Sequence, residues 1–296
     1  MNTIEKAIDK LQKSKGDSGE PRAEPPVEEP AVPAAEAAGA EDRAGEAVTA
    51  PGQRVTLDFS RFQPTSIIDP RSDHTGYLAE EFRNIKRPLL MNVQGRGATL
   101  VEHPNLIMVT SSLPGEGKTF TSINLAMSIA TEMDKTVLLA DADVAKPELA
   151  SLLGVRAEKG LIDVLLNEVS LQDVLLRTDI PNLSLLPAGR RHPHATELLA
   201  SASMRQLATE LSTRYSDRIV VFDSPPLLIT SEARVLAGLM GQIVMVVEEA
   251  KTLQPVVKEA LGTLDSSEIV GLVLNKNKTN AGADYYGGYG YYGYGR

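Results

Sequence analysis

The sequence contains no cysteine and no tryptophan, and it has only four histidines. Without cysteine, a disulfide framework, a thiolate zinc site and a cysteine nucleophile are all excluded. The histidines are not spaced like metal ligands, so we expect no metal other than Mg²⁺. They are His74, His103, His192 and His194.

Long hydrophobic runs are also missing. The longest, residues 106–109 and 243–247, fall far below the roughly 18 residues that a membrane-spanning helix needs. No signal-peptide core follows Met1. We therefore expect a cytoplasmic chain.

Basic residues are scarce in one segment, which carries most of the net charge of −9. Residues 16–53 contain nine acids and two arginines, a balance of −7. Because the rest of the chain is nearly balanced, its charge indicates no nucleic-acid partner. The segment is rich in Pro, Ala, Glu and Gly and has no aromatic residue, so it cannot bury enough apolar surface to fold. We predict a disordered linker over residues 16–60.

Apolar residues before this linker recur at helical spacing, at Ile4, Ala7, Ile8 and Leu11. The spacing predicts a short amphipathic helix over residues 1–15. Such a helix docks on a partner or an anionic membrane surface, or it is a frayed end, and the sequence leaves both open.

Beyond the linker, short apolar strands alternate with helical patterns. Strands are expected near residues 105–110, 136–140, 182–186, 218–223, 242–248 and 268–274, and helices over 120–132, 196–214 and 253–264. This alternation predicts an α/β domain over residues 61–280, with a doubly wound, mostly parallel sheet.

The first of these strands runs into SLPGEGKT at residues 112–119, and a helical pattern follows. Strand, glycine loop and helix in this order predict a P-loop NTPase fold that binds ATP. Lys118 would reach the β and γ phosphates. Asn275, after the last strand, contacts adenine or caps a turn, and both stay open. The expected ATP-binding residues are Ser112, Gly115, Glu116, Gly117, Lys118, Thr119, Phe120 and Asn275.

Carboxylates follow two other strands, at Asp141 and Asp143 and at Asp223. Because the carboxyl ends of the strands converge on the ligand crevice of a doubly wound sheet, we expect all three near the phosphates. With Lys118 they are the candidate catalytic residues. The candidate Mg²⁺ residues are Thr119, Asp143 and Asp223. The alternative is a purely structural role, in which these acids cap helices or turns.

Residues 281–296 form a low-complexity tail of tyrosine and glycine. Six of the eight tyrosines lie there, at Tyr285, Tyr286, Tyr289, Tyr291, Tyr292 and Tyr294.

These three blocks and the tail resemble the bacterial tyrosine kinases, and the resemblance covers residues 69–296. It implies that Lys118, Thr119, Asp141, Asp143 and Asp223 form the ATP–Mg²⁺ site and that the tail tyrosines are autophosphorylated. The residues 141–147, DADVAKP, are similar to those of the tyrosine autokinases of exopolysaccharide loci with exosortase systems.

The resemblance also implies partners. Glu80, Arg83 and Lys86 match a self-association motif, so a ring-like homo-oligomer is expected. A separate membrane polysaccharide co-polymerase would activate the kinase and hold it at the inner membrane, and a protein-tyrosine phosphatase would reset it. Two positions depart from the family: Ala145 and Lys146 stand where an arginine is usual, and Lys86 replaces the last arginine of the motif. Bidentate contacts are weakened at both places.

Two other functions fit the same fold. One is a partitioning-type ATPase switch, but such ATPases carry a further lysine where this chain has Leu113. The other is an ATP-gated scaffold without catalysis, in which the tail only mediates contacts.

Overall fold

The computed structural model describes residues 53–63, 66–72, 76–97, 101–264 and 269–277. They belong to the unit Thr49–Arg296. The predicted helix 1–15, the linker before residue 53 and the tyrosine tail lie outside the described residues.

An eight-stranded sheet in the order β1-β4-β5-β3-β6-β2-β7-β8 forms the centre of the domain. All neighbouring strands are parallel except β4 and β5, which are antiparallel. The strands are β1 Arg54–Val55, β2 Leu106–Ser111, β3 Thr136–Asp141, β4 Leu176–Thr178, β5 Leu183–Leu186, β6 Arg218–Asp223, β7 Gln242–Glu248 and β8 Ile269–Asn275.

Helices cover both faces of this sheet. Within the described residues they are α1 Tyr77–Val93, α2 Lys118–Ala130, α3 Leu149–Leu152, α4 Leu161–Leu165, α5 Leu171–Val174, α6 Ala195–Leu199, α7 Ala202–Thr213, α8 Ser231–Ala237 and α9 Gln254–Leu261. The prediction of a doubly wound, mostly parallel α/β fold is therefore confirmed.

The predicted strands do not alternate polar and apolar residues, and the central strand β2 shows the reason. Its side chains are buried on both faces, as parallel strands between two helical layers require. Leu106 and Met108 pack into the layer that contains α7 and α8, whereas Ile107 and Val109 pack into the layer that contains α1 and α2. The sheet therefore separates two hydrophobic cores and aligns the carboxyl ends of its strands on one edge.

The boundary of the predicted linker at residue 60 is wrong. Strand β1 pairs with β4, and Leu57 is only 3% exposed. The backbone N–H of Asp58 donates to the carbonyl of Leu153, and that of Arg177 donates to the carbonyl of Gln53. Residues 53–58 therefore belong to the domain, because these contacts tie them to the edge of the sheet.

The predicted helix over residues 196–214 is two helices, α6 and α7. Ser201 separates them, and its hydroxyl accepts a hydrogen bond from the N–H of Met204 as the N-cap of α7. No helix in the described part of the chain is long and apolar enough to span a membrane.

Candidate active site

The glycine loop lies between β2 and the N-terminus of α2, as the sequence predicts. Gly115 and Gly117 have φ angles of +85° and +101°, which L side chains rarely adopt. A Cβ atom at Gly117 would also lie 2.0 Å from Nδ2 of Asn275. Glycine is therefore required at this point, where the backbone N–H groups at the start of α2 face an incoming anion.

Lys118 is the first residue of α2, and its side chain is 13% exposed. Its Nζ donates a hydrogen bond to Oδ2 of Asp143 over 2.7 Å. Burial lowers the pKa of Lys118, but the charges of Asp223, Asp143 and Asp141 outweigh it and raise that pKa overall. The ammonium group is therefore a fixed cation at the mouth of the loop.

Asp141 and Asp223 end adjacent strands and are partners in the β3–β6 register. Both are buried. Burial raises the pKa of Asp223 to about 6, although Lys118 acts in the opposite direction. Burial, and then the charge of Asp223, raise the pKa of Asp141 well above its ordinary value. The site thus holds two carboxyl groups that bind protons more tightly than exposed ones do.

The two carboxyl groups have different neighbours. Asp141 accepts the backbone N–H groups of Asp143 and Leu149, each at 3.2 Å, so it organises the loop that carries Asp143. Asp223 accepts the hydroxyl of Ser122 at 3.0 Å. This geometry gives Asp141 a supporting position, in keeping with the alternative that an acid here caps a turn.

A cavity of about 370 Å³ opens in front of the loop. Of the predicted site residues, those that line it are Gly115, Gly117, Lys118, Thr119, Phe120 and Asp143. Three further lining residues, Pro225, Pro226 and Ile229, make up an apolar wall that the sequence did not predict. The Asp-Ser-Pro-Pro sequence at residues 223–226 was the available signal, but only its acid was used.

Glu116 braces the loop from the inside. Its Oε2 accepts the backbone N–H of Leu113 at 2.7 Å, and its Oε1 accepts the hydroxyl of Thr252. The side chain is buried, and both of its carboxylate oxygens accept hydrogen bonds from the protein. Ser112 is also buried, and its hydroxyl has no hydrogen-bond partner within the described residues.

The side chain of Asn275 contacts the loop itself. Its Nδ2 donates to the carbonyl of Glu116 at 2.8 Å. Of the two alternatives for Asn275, this geometry favours stabilisation of a turn.

Lys86, unlike Glu80 and Arg83 of the same predicted self-association motif, is buried. Lys86 shares the buried face of α1 with Phe82, because the two lie one turn apart. Its Nζ is 2.7 Å from Oε1 of Glu132 and donates to the carbonyl of Ser128 near the end of α2. Lys86 thus stabilises the end of α2 within one protomer.

Glu80 and Arg83 form an ion pair on the outer part of α1, with side chains that are 54% and 40% exposed. These two residues remain candidates for contacts between protomers.

The residues of the site fit a hard cation only in part. Within the described residues, no group of three or more histidine and acidic side chains is close enough to hold a metal ion. The hydroxyl of Thr119 and the carboxylates of Asp143 and Asp223 are oxygen donors of the kind that Mg²⁺ prefers. Such a small set suits Mg²⁺, which keeps several waters and takes its other ligands from phosphates.

Several known proteins resemble this chain. Residues 105–255 match the family model described as an AAA domain. The chain is 35% identical over 190 residues to the tyrosine-protein kinase YwqD of Bacillus subtilis, which covers 63% of this chain and 77% of that protein. It is 31% identical over 231 residues to the succinoglycan biosynthesis transport protein ExoP of Rhizobium meliloti, covering 76% of this chain but only 28% of ExoP.

A solved structure shows the same likeness. The chimerical protein CapA2B2 matches with a TM-score of 0.62 and 26% identity, over 74% of this chain and 91% of that one. The glycine loop with Lys118, the buried carboxyl groups behind it and the similarity to YwqD over most of that protein's length lead to one conclusion. The chain belongs to the bacterial tyrosine kinases, a family of nucleotide-binding protein-tyrosine kinases.

Proposed function

We propose that this protein uses ATP and Mg²⁺ to phosphorylate the tyrosines of its own C-terminal tail, from one protomer to another. The observation that carries the proposal is the cavity at the glycine loop, whose lining combines Lys118 and Asp143 with the apolar wall. The charged residues suit phosphate, and the apolar wall suits an aromatic ring.

The chemistry divides among residues of the loop and the strand ends. The backbone of residues 115–117 and the ammonium of Lys118 would bind the phosphates, because both present N–H donors to an anion. Thr119 and Asp223 would hold Mg²⁺, which when bound neutralises charge on the phosphate oxygens. Glu116 and Asp141 would act indirectly, by holding the loops in place.

Asp143 is the proposed general base. In the transfer, the tyrosine oxygen forms a bond to the γ phosphorus, the bond from that phosphorus to the oxygen of ADP breaks, and the phenolic proton passes to Asp143. Lys118 holds Asp143 by a hydrogen bond at 2.7 Å, which keeps that carboxylate oriented toward the cavity. The remaining N–H donors of Lys118 are available to the phosphates.

The apolar wall supports tyrosine as the acceptor. Ile229 is 59% exposed, and Pro225 and Pro226 line the cavity beside it. A phenol ring covers such a surface with its apolar body while its hydroxyl points to the polar side. A partitioning-type ATPase activates water and has no need of this wall.

The six tail tyrosines are the proposed acceptors. Glycines are interspersed among them, and their wide range of backbone conformations would help a tail to enter a neighbouring cavity. Each phosphotyrosine adds about −1.5 to −2 charges near neutral pH, so tails that carry several would repel one another. We therefore propose that a ring of unmodified protomers dissociates on autophosphorylation and that a phosphatase resets it.

The biological setting rests on relatives. ExoP is named for succinoglycan biosynthesis and transport. By extension, the kinase would act in exopolysaccharide assembly at the cytoplasmic side of the inner membrane, activated by a separate membrane co-polymerase. We also propose that the chain belongs to the exosortase-associated subfamily of these kinases.

Incubation of the purified protein with Mg-ATP, followed by parallel assays of phosphotyrosine and released phosphate, tests the activity. The kinase predicts phosphotyrosine, the ATPase switch predicts released phosphate without labelling, and the scaffold predicts neither. Transfer between protomers is tested by mixing full-length Lys118→Met protein with an active variant whose six tail tyrosines are phenylalanine. Labelling of the Lys118→Met chain supports transfer between protomers, and its absence contradicts it.

A further inference from the structure

The end of β8 is fastened to the phosphate loop by two side chains. Asn275 donates from Nδ2 to the carbonyl of Glu116 at 2.8 Å, and Lys276 donates from Nζ to the carbonyl of Gly115 at 2.6 Å. Both acceptors are backbone carbonyls of the loop between β2 and α2. We propose that Asn275 and Lys276 are positioning residues that hold the phosphate loop in its nucleotide-binding conformation.

The loop needs such support because its backbone is unusual. Gly115 and Gly117 both adopt positive φ angles, and the carbonyls of Gly115 and Glu116 lie ahead of the first turn of α2. The contact at Gly117 is close enough that any Cβ would collide with Asn275. The amide of Asn275 and the loop glycine therefore form one packed unit.

Lys276 is itself held in place. Its φ angle is +61°, uncommon for a lysine, and its Nζ also lies 3.1 Å from Oε2 of Glu248. The backbone N–H of Glu249 donates to the carbonyl of Asn275, which joins the ends of β7 and β8. The ammonium group is thus directed at Gly115 by an anchored backbone and by an anchored carboxylate.

The inference rests on nucleotide binding by the loop and does not require the tail to be the phosphate acceptor.

A matched pair of lysine variants tests the brace. Lys251 lies 3.1 Å from the same Oε2 atom of Glu248 but makes no contact with the loop in the described structure. Lys276→Ala should raise the Kd for Mg-ADP, measured by calorimetry on the full chain, by about three- to tenfold, since it removes one hydrogen bond to the loop. Lys251→Ala removes the same charge and should leave the Kd unchanged. Equal values for Lys276→Ala and wild type, or an equal rise in Lys251→Ala, would overturn the proposal.

A second variant separates bracing from contact with adenine. If Asn275 acts on the loop, Asn275→Ala weakens Mg-ADP and inorganic pyrophosphate by similar factors, because both use the same backbone groups. Weakened ADP with unchanged pyrophosphate would overturn the role of Asn275. In kinase assays, both alanine variants should raise the KM for ATP with little change in kcat, and Lys276→Arg should restore the KM. A fall in kcat at unchanged KM, or no recovery in Lys276→Arg, would contradict a positioning role.

Discussion

Nζ of Lys118 lies 2.7 Å from Oδ2 of Asp143, so the cation of the phosphate loop and the candidate base are hydrogen-bonded to each other. Each orients the other, and both line the same cavity. In the proposed mechanism, this pair links the phosphate-binding group to the proton acceptor.

Replacement of Lys118 by methionine should lower phosphotyrosine formation more than about 100-fold, because it removes a donor that stabilises charge in the transition state. The domain should remain folded, since Lys118 lines the cavity and belongs to neither hydrophobic core. Circular dichroism and the Tm check folding, and an anti-phosphotyrosine blot checks activity. Lys251→Met is the control for loss of a lysine away from the cavity. Near wild-type labelling in Lys118→Met would contradict the assignment of the loop.

Lys86→Met should destabilise the domain by about 2 kcal/mol, because it removes a buried hydrogen bond to the Ser128 carbonyl and the ion-pair partner of Glu132. Arg83→Ala should change stability by less than about 0.5 kcal/mol, since its partner Glu80 is exposed. If α1 forms contacts between protomers, Arg83→Ala should also lower the mass of the oligomer measured by light scattering. Urea unfolding that gives equal changes for both variants would show that Lys86 does not have the proposed structural role.

Deletion of residues 16–52 should leave the Tm and ATP affinity nearly unchanged, because the composition of this acidic segment predicts few buried contacts. Deletion of residues 16–60 should lower the Tm clearly, since it removes β1 and the buried side chain of Leu57. Thermal unfolding of the two deletions, side by side, measures the difference. A large loss in the shorter deletion would mean that the linker packs on the domain.

The raised pKa of Asp223 predicts a pH-dependent effect of Asp223→Asn. A carboxyl whose pKa rises from 3.8 to about 6 on folding stabilises the domain when protonated, and this stabilisation is lost as the pH rises through about 6. Asparagine cannot lose a proton, so the variant should gain stability over wild type by up to about 3 kcal/mol above pH 7. The gain should shrink as the pH falls toward 4.

Unfolding in EDTA without nucleotide, at several pH values, measures this gain. Asp134→Asn, at an exposed carboxylate, is the control and should show no such trend. A gain that does not depend on pH would show that Asp223 is not the titrating group. Loss of Mg²⁺-dependent activity in Asp223→Asn is expected as well, since an amide is a poorer ligand for a hard cation.

The sequence predicted the central strands and the glycine loop because their signals are local. A buried apolar run such as that of β2 and a glycine loop before a helix are visible within a dozen residues. Strand β1 has only two residues, so it has no periodicity, and its pairing with β4 depends on contacts far along the chain. The linker boundary was therefore placed too late.

The contacts of Lys86 and Asn275 could not be predicted from the sequence, for a related reason. Lysine on an amphipathic helix usually faces solvent, and no local pattern shows that Lys86 reaches Glu132 at the end of another helix. The contacts of Asn275 with the loop arise because β8 ends beside it in the sheet, and sequence spacing does not show this. Sequence patterns do not predict the contacts of charged and amide side chains whose partners lie far along the chain.

The most direct test of the proposed autokinase is phosphosite mapping by mass spectrometry after incubation with Mg-ATP. Two of the eight tyrosines, Tyr77 and Tyr215, lie in the folded domain, and both side chains have exposed surface, so they are internal controls. The proposal predicts phosphate on Tyr285, Tyr286, Tyr289, Tyr291, Tyr292 and Tyr294, with none on the two controls and none on the Lys118→Met protein. Phosphate release without tail labelling, or labelling confined to Tyr77 and Tyr215, would contradict it.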